Sequence, residues 1–118
     1  MATAPPEQYF EFIAAPVFEN AAKKLLTEED RRQLELLLLE RPYSGPIMQR
    51  TGGVRKMRFA RPSRGEGKSG GTRVVYYVVD RKARIYLVHV YAKSVKASLT
   101  REEEKRLHKL AQLLEAEE

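Results

Sequence analysis

The chain has 118 residues, of which 42% are hydrophobic and 32% are charged, and its formal net charge is +6. This length predicts one domain over residues 1–118, with residues 1–8 expected to be flexible, and the lack of cysteine excludes disulfides and thiolate metal sites. No apolar stretch reaches the roughly 20 residues that span a bilayer, and the N-terminus lacks the basic flank and apolar run of a signal peptide, so we expect a cytoplasmic protein with no membrane contact.

The N-terminal third of the sequence predicts a short strand followed by a helical hairpin. Tyr9–Ile13 is an aromatic and β-branched run that suits an opening strand. Pro16 suits the first turn of a helix whose apolar stripe extends to Leu26. Thr27 is typical of the N-cap of a second helix, which has an acidic first turn that suits the helix dipole and which ends before Pro42.

The middle of the sequence predicts a loop, a strand and a glycine-rich connection. Residues 43–53 have the composition of a loop. Val54–Arg61 alternates, with Met57 and Phe59 on one face and cations on the other, as a half-buried strand does. Pro62–Gly71 (PSRGEGKSGG) then predicts a flexible, cationic connection.

Two further strands and a last helix complete the predicted fold. Thr72–Val79 and Arg84–Tyr91 are almost continuously hydrophobic, which is typical of inner strands that are buried on both faces. Thr100 and Glu103 have the spacing of a capping box at the start of a helix. The predicted order is β-α-α-β-β-β-α, an α+β fold in which a small, largely antiparallel sheet packs against an N-terminal α-hairpin and a C-terminal helix.

The positive charge is concentrated in one part of the chain. Residues 50–96 hold 13 of the 22 basic residues and only two acidic ones, Glu66 and Asp80, so this segment has a net charge of +11 and the remainder −5. Such segregation costs self-repulsion and is typical of a surface that binds a polyanion. Nucleic acid is therefore the leading partner, against the alternative of a charged face that is merely solvated.

The cations of the predicted strands suit a phosphate-binding site. If Met57 and Phe59 face the core, Lys56 and Arg58 must point to the opposite face. Arg73 lies at the start of the next strand, and the sequence leaves open whether it shares that face. Arginine binds phosphate oxygens in a planar fork and lysine acts as a point charge, so these side chains can stabilise charge that develops at a phosphorus atom.

Other chemistries fit the sequence less well. The loop GEGKSGG lacks the P-loop spacing and leads into a strand, so we interpret it as a mobile loop that lays Arg64 and Lys68 along a nucleic-acid backbone, or as a plain connection. Two-metal nuclease sites need clustered carboxylates, which the basic segment lacks, so we expect no metal. His89 lies within an apolar strand and is expected to be a satisfied core residue rather than a catalyst.

RNA offers a reaction that needs no metal. Its 2′-OH can attack the adjacent phosphate when a base takes the proton and cations hold the pentavalent oxyanion. A lysine crowded by other cations can be that base, because like charges favour its neutral form. DNA lacks this hydroxyl, so the chemistry would select RNA. Among the tyrosines, Tyr91 beside Lys93 is the best candidate for an exposed, base-stacking residue.

Two long segments, GGVRKMRFARPSRGEGKSGGTRVVYYVV and IYLVHVYAKSVKASLTREEEKRL, resemble the RelE/HigB toxin superfamily of type II toxin–antitoxin systems. The resemblance covers about residues 9–114 and is closest to the HigB-like branch, which has an extended glycine-rich loop. It implies a RelE-like, microbial-ribonuclease-like fold. It also implies a ribosome-dependent endoribonuclease that cleaves messenger RNA without metal or cofactor, arrests translation and is inhibited by a cognate antitoxin.

The resemblance also implies roles for individual residues. Lys56 and Arg58 match the paired strand cations and Arg73 matches an arginine that contacts the scissile phosphate, with Lys56 favoured as base and Arg73 as acid or oxyanion stabiliser. Lys68 lies in the loop that marks the branch, and Lys93 ends the last strand beside the site. The residues predicted to bind RNA are neighbouring cations and one aromatic: Arg55, Arg61, Arg64, Lys68, Tyr91, Lys93 and Lys96.

The sequence departs from the family pattern in its last helix. Archetypal members have a tyrosine near the C-terminus that stacks on the substrate base, whereas Thr100–Glu118 contains none, so stacking falls to Tyr91 or is absent. Two alternatives remain: a ParE-like toxin that binds DNA gyrase, and a non-catalytic module whose basic face grips ribosomal RNA. ParE-like toxins generally lack the paired strand cations, which favours the nuclease.

Overall fold

The computed structural model of the chain describes residues 10–67, 71–95 and 98–117. Tyr9, the first residue of the predicted opening strand, and residues 1–8, which we predicted to be flexible, lie outside the described residues. The elements follow the predicted order, and their bounds are β1 Glu11–Ala14, α1 Pro16–Leu25, α2 Glu28–Glu40, β2 Arg55–Phe59, β3 Thr72–Val79, β4 Arg84–Ala92 and α3 Arg101–Ala116. None of the described helices is long and apolar enough to cross a membrane.

Both predicted helix caps are present. The Thr27 hydroxyl accepts a hydrogen bond from the Asp30 N–H at 3.0 Å, and the Asp30 carboxylate accepts one from the Thr27 N–H at 3.1 Å. The same reciprocal pair joins Thr100 and Glu103 at the start of α3. Each cap satisfies backbone donors that the first helical turn leaves unpaired, which fixes where α2 and α3 begin.

The four strands form one mixed sheet in the order β1-β4-β3-β2. β3 and β4 are the inner strands, as their continuous hydrophobicity predicted. β2 and β3 pair antiparallel, as do β3 and β4, while β1 pairs parallel with β4, so the sheet is largely antiparallel, as predicted, with one parallel pair. No hairpin turn sets the direction of β1, because the α-hairpin separates it from the other strands, and a long helical crossover permits parallel pairing.

Helices cover both faces of the sheet. The α1–α2 hairpin packs on one face, where the buried cluster consists of Phe18, Ala22, Leu34, Leu38, Met57, Phe59, Val74, Tyr76, Ile85, Leu87 and Val90. α3 packs on the other face, where the buried cluster consists of Val54, Val75, Tyr77, Val79, Tyr86, Tyr91 and Ala111. Burial on both faces explains why β3 and β4 lack the polar alternation of an exposed sheet.

Polar contacts fasten α3 at both ends. Near its start, Glu104 forms an ion pair with Arg50 at 2.7 Å, and the Arg50 hydrogen bond lowers the pKa of Glu104. Near its end, Glu115 accepts a hydrogen bond from the Tyr77 hydroxyl at 2.9 Å, and burial together with that carboxylate raises the pKa of Tyr77 to about 12. α3 therefore lies over β3 and β4, while Arg58 on the edge strand β2 stays exposed.

Candidate nucleic-acid interface

The pairing of β2 with β3 places three cations on one face of the sheet. Met57 is buried against the α-hairpin, so its neighbours Lys56 and Arg58 point to the opposite face. Arg58 lies directly opposite Arg73 in the antiparallel register, and Lys56 lies opposite Val75. Residues that face each other across an antiparallel pair share a face, which answers the question that the sequence left open for Arg73.

Two like charges directly opposite each other weaken a sheet. Arg58 is exposed and Arg73 is half-buried, with one guanidinium nitrogen of Arg73 donating to the Thr72 carbonyl at 3.1 Å. Opposed residues have Cβ atoms roughly 5 Å apart, and Lys56 lies roughly 7 Å along the strand from Arg58. All three side chains are therefore long enough to reach a single phosphate group.

These cations line a groove of about 690 Å³ at the β2 edge of the sheet. The end of α2 and the loop that follows it form the other wall. The lining residues are Leu37, Arg41, Ser44, Gly45, Pro46, Lys56, Met57, Arg58 and Arg73. Every charged residue in that described lining is a cation, which suits the binding of an anion.

The loop wall of the groove is held from both sides. From the core, the hydroxyl of fully buried Tyr76 accepts a hydrogen bond from the Gly45 N–H at 2.9 Å. A Cβ at Gly45 would lie 2.9 Å from that hydroxyl and 3.1 Å from the Met57 Cβ, so the close approach requires glycine. From the surface, Arg55 donates to the carbonyls of Gly45 and Tyr43 at 2.8 and 3.1 Å and stacks over the Tyr43 ring.

These contacts occupy Arg55, which we predicted to bind RNA. Its guanidinium holds the protein's own loop, so we leave it out of the candidate interface. The prediction that Arg61 binds RNA fits the structure even less well, because Arg61 is only 8% exposed. It forms an ion pair with Glu66 at 2.7 Å and donates to the Leu25 carbonyl at 3.0 Å. The prediction of RNA binding overlooked that Glu66, five residues away, provides a partner within the protein.

Glu66 closes the base of the glycine-rich loop. Besides the Arg61 side chain it accepts the Arg61 N–H at 2.8 Å and the backbone N–H of Gly71. These bonds, the Arg61 side chain first, lower the pKa of Glu66 from 4.5 to about 2. A Cβ at Gly71 would fall 1.8 Å from the Glu66 carboxylate, so this contact also requires glycine. Arg73 follows two residues after the closed base.

A second buried carboxylate fixes the start of the same loop. Asp30 is fully buried and accepts the Ser63 N–H at 2.9 Å and the Ser63 hydroxyl at 2.6 Å. Burial alone would raise the pKa of Asp30, but the hydrogen bonds from Ser63 and Thr27 outweigh it and lower the pKa. The sequence explained Asp30 by the helix dipole alone. The capping spacing Thr27-x-x-Asp30 signalled part of its role, and nothing local signalled Ser63.

The remaining predicted RNA-binding residues fall in three groups. Arg64 and Lys93 are exposed, and the Lys93 N–H donates to the Gly71 carbonyl at 3.0 Å, so Lys93 lies at the base of the loop. Tyr91 is only 8% exposed and packs beneath α3, so the prediction that it is exposed is wrong. Lys68 and Lys96 lie outside the described residues.

His89 lies in an apolar cavity of about 390 Å³ between β4 and α3. Its ring centroid is 5.6 Å from that of Tyr91, and burial lowers its pKa, which favours the neutral imidazole. Its Nδ1 atom is buried without a hydrogen-bond partner in the described structure, so His89 is not the satisfied core residue that we expected. Among residues 10–67, 71–95 and 98–117, no three histidine or carboxylate side chains cluster as metal ligands do.

Fold and site together define a small α+β domain with a cationic groove at the edge strand. Residues 39–118 match the family model described as the RelE toxin of the RelE/RelB toxin–antitoxin system. The match spans more than half of the chain, so the chain belongs to the RelE toxin family. This confirms the predicted superfamily, whereas the narrower assignment to a HigB-like branch stays a prediction.

Solved structures of RelE proteins are similar to the chain at low sequence identity. A mutant of the E. coli toxin RelE in the free state has 22% identity and a TM-score of 0.46, covering 75% of this chain and 85% of that one. The archaeal RelE–RelB complex from Pyrococcus horikoshii has 17% identity and a TM-score of 0.47, covering 75% of this chain and 99% of that one. The isolated E. coli RelE toxin has 21% identity and a TM-score of 0.39, covering 86% of this chain and 97% of that one.

Proposed function

We propose that this chain is the toxin of a toxin–antitoxin pair and that it cleaves messenger RNA on the ribosome. The observation that carries the proposal is the convergence of Lys56, Arg58 and Arg73 on one groove that no described carboxylate lines. Membership of the RelE family supports the toxin role. The exposed cations Arg64 and Lys93 at the glycine-rich loop extend the positive surface beyond the groove.

The proposed reaction uses the 2′-OH of the RNA as nucleophile. Lys56 takes the proton of this hydroxyl, and the 2′ oxygen forms a bond to the adjacent phosphorus. Arg73 and Arg58 hold the oxygens of the pentavalent phosphorane in which the added charge develops. The bond to the 5′ oxygen then breaks, and this oxygen takes up a proton. The products are a 2′,3′-cyclic phosphate and a 5′-hydroxyl end.

The proposed partners follow from the family and the charge. A cognate antitoxin is supported by the matching family model, which describes the RelE toxin of the RelE/RelB toxin–antitoxin system. Messenger RNA and the ribosome are polyanions that suit the net charge of +6. We place the reaction in the cytoplasm, where translation occurs.

The test is primer extension on a message translated in vitro, with wild-type protein, Arg73→Ala and Arg101→Ala. Arg101 is a charge-matched control, because its side chain is 77% exposed on α3 and is not among the residues that line the groove. We expect cuts confined to translated regions, a loss of roughly 10²–10³-fold in rate for Arg73→Ala, and little change for Arg101→Ala.

Two outcomes would contradict the proposal. Absence of cleavage together with ribosome binding that weakens only modestly in Arg73→Ala would indicate a non-catalytic RNA-binding module. DNA breaks that require gyrase, with intact messages, would indicate a ParE-like toxin.

A further inference from the structure

The groove extends beyond the three strand cations. Its opposite wall contains a fourth cation, Arg41, which none of the sequence patterns singled out. The Arg41 side chain is exposed and forms no ion pair within the described parts of the chain. Its backbone is fixed on both sides, since its N–H donates to the Leu37 carbonyl at 2.9 Å and its carbonyl accepts the Ser44 N–H at 3.1 Å.

The wall that holds Arg41 is tied to the strand that holds Lys56. The Lys56 N–H donates to the Pro46 carbonyl at 3.1 Å, and the buried Tyr76 hydroxyl accepts the Gly45 N–H from beneath. These two hydrogen bonds, one to the backbone and one to a side chain of the sheet, therefore fix the loop that follows Arg41 relative to the strand cations. Such a fixed spacing suits a ligand with a regular repeat of charge.

A cation at the C-terminus of α2 has a simpler explanation, because it compensates the helix dipole. That explanation does not account for a lining of four cations with no described carboxylate among them, since these charges repel one another. A ligand with one phosphate would neutralise only the strand side of a groove of about 690 Å³. Between Arg41 and the strand, exposed Leu37 and Pro46 offer an apolar surface for a sugar or a base.

We propose that Arg41 forms a second phosphate-binding subsite, which holds the phosphodiester next to the one that Arg58 and Arg73 hold. This subsite rests on the proposed function and deepens it, because it defines the substrate as an extended single strand of at least two linkages across the groove. Arg41 binds and orients this strand and takes no part in bond breaking. The phosphate belongs to the message rather than to ribosomal RNA, because the same groove holds the reacting linkage.

The test measures binding of a short single-stranded RNA that carries a 2′-O-methyl group at every position and cannot be cleaved. The variants are Arg41→Ala, Arg41→Lys and Arg32→Ala. Arg32 is a matched control on the same helix, since it is 63% exposed and pairs with Glu29 outside the groove. We expect the slope of log affinity against log salt to fall by about 0.7 for Arg41→Ala and to be kept by Arg41→Lys and Arg32→Ala.

A neutral methylphosphonate at single linkages sharpens the test. In wild-type protein it should weaken binding at two adjacent linkages, and in Arg41→Ala at only one of them. Equal slopes for Arg41→Ala and Arg32→Ala would overturn the subsite. So would a loss of ribosome affinity in Arg41→Ala with unchanged binding of the oligonucleotide, which would assign the phosphate to ribosomal RNA. Failure of the proposed function is distinguishable, because wild-type protein would then bind the oligonucleotide yet cut no translated message.

Discussion

Replacing Glu66 by glutamine should destabilise the protein through the ion pair that closes the glycine-rich loop. A carboxylate whose pKa falls from 4.5 to about 2 gains roughly 3 kcal/mol from its native surroundings. The Glu66 side chain is 17% exposed and that of Arg61 is 9% exposed, so solvent screens part of this favourable interaction. Glutamine also turns an amide N–H₂ toward a guanidinium that remains nearly buried. We expect Glu66→Gln to lower the free energy of unfolding by about 2–3 kcal/mol at pH 7.

Urea denaturation at a series of pH values measures this difference. Because the folded-state pKa of Glu66 lies below the unfolded one, its contribution is complete above pH 4.5 and is lost as the pH falls toward 2. The gap between wild type and Glu66→Gln should shrink over that window. Glu29→Gln is the control, since Glu29 and Arg32 form an exposed pair and such pairs contribute little. A gap that is absent at pH 7, or that stays constant down to pH 2, would refute the reasoning.

Two further substitutions test how the groove wall and α3 are held. Tyr76→Phe leaves the buried Gly45 N–H without its acceptor and should lower the free energy of unfolding by about 1–2 kcal/mol; an unchanged denaturation midpoint would show that the loop does not depend on this bond. Gly52→Ala places a Cβ 2.5 Å from the His108 Cδ2 at a φ of +73°, so it should cost roughly 1–3 kcal/mol. Part of that cost should disappear in a His108→Ala background, and equal costs in both backgrounds would contradict the proposed clash.

Local patterns were sufficient to predict most of the fold. The capping residues Thr27 and Thr100 fixed the starts of α2 and α3 within one residue. The alternation around Met57 fixed which face of β2 is buried. The direction of β1 was not predictable in this way, because its parallel pairing with β4 depends on how the α-hairpin crosses the sheet.

The positive charge of the candidate site was predictable from the sequence, but the contacts that its side chains make within the protein were not. The shared face of Arg58 and Arg73 depends on strand register, which joins residues 15 positions apart in the chain. The sequence predicted that Arg61 binds RNA, whereas in the fold its guanidinium pairs with Glu66. The sequence predicted that Tyr91 is exposed, whereas α3 covers it in the fold. The position of α3 depends on contacts between distant segments, such as the Arg50–Glu104 ion pair.

Cleavage of a message with a single 2′-deoxynucleotide at a mapped cleavage position tests the central claim most directly. The message is translated in vitro with wild-type protein, beside an all-ribose message of the same sequence. The proposed reaction predicts that the modified linkage stays intact, while the natural one yields a 2′,3′-cyclic phosphate and a 5′-hydroxyl end. Cleavage at the deoxynucleotide, or a 5′-phosphate on the downstream fragment, would contradict attack by the 2′-OH in the groove of Lys56, Arg58 and Arg73.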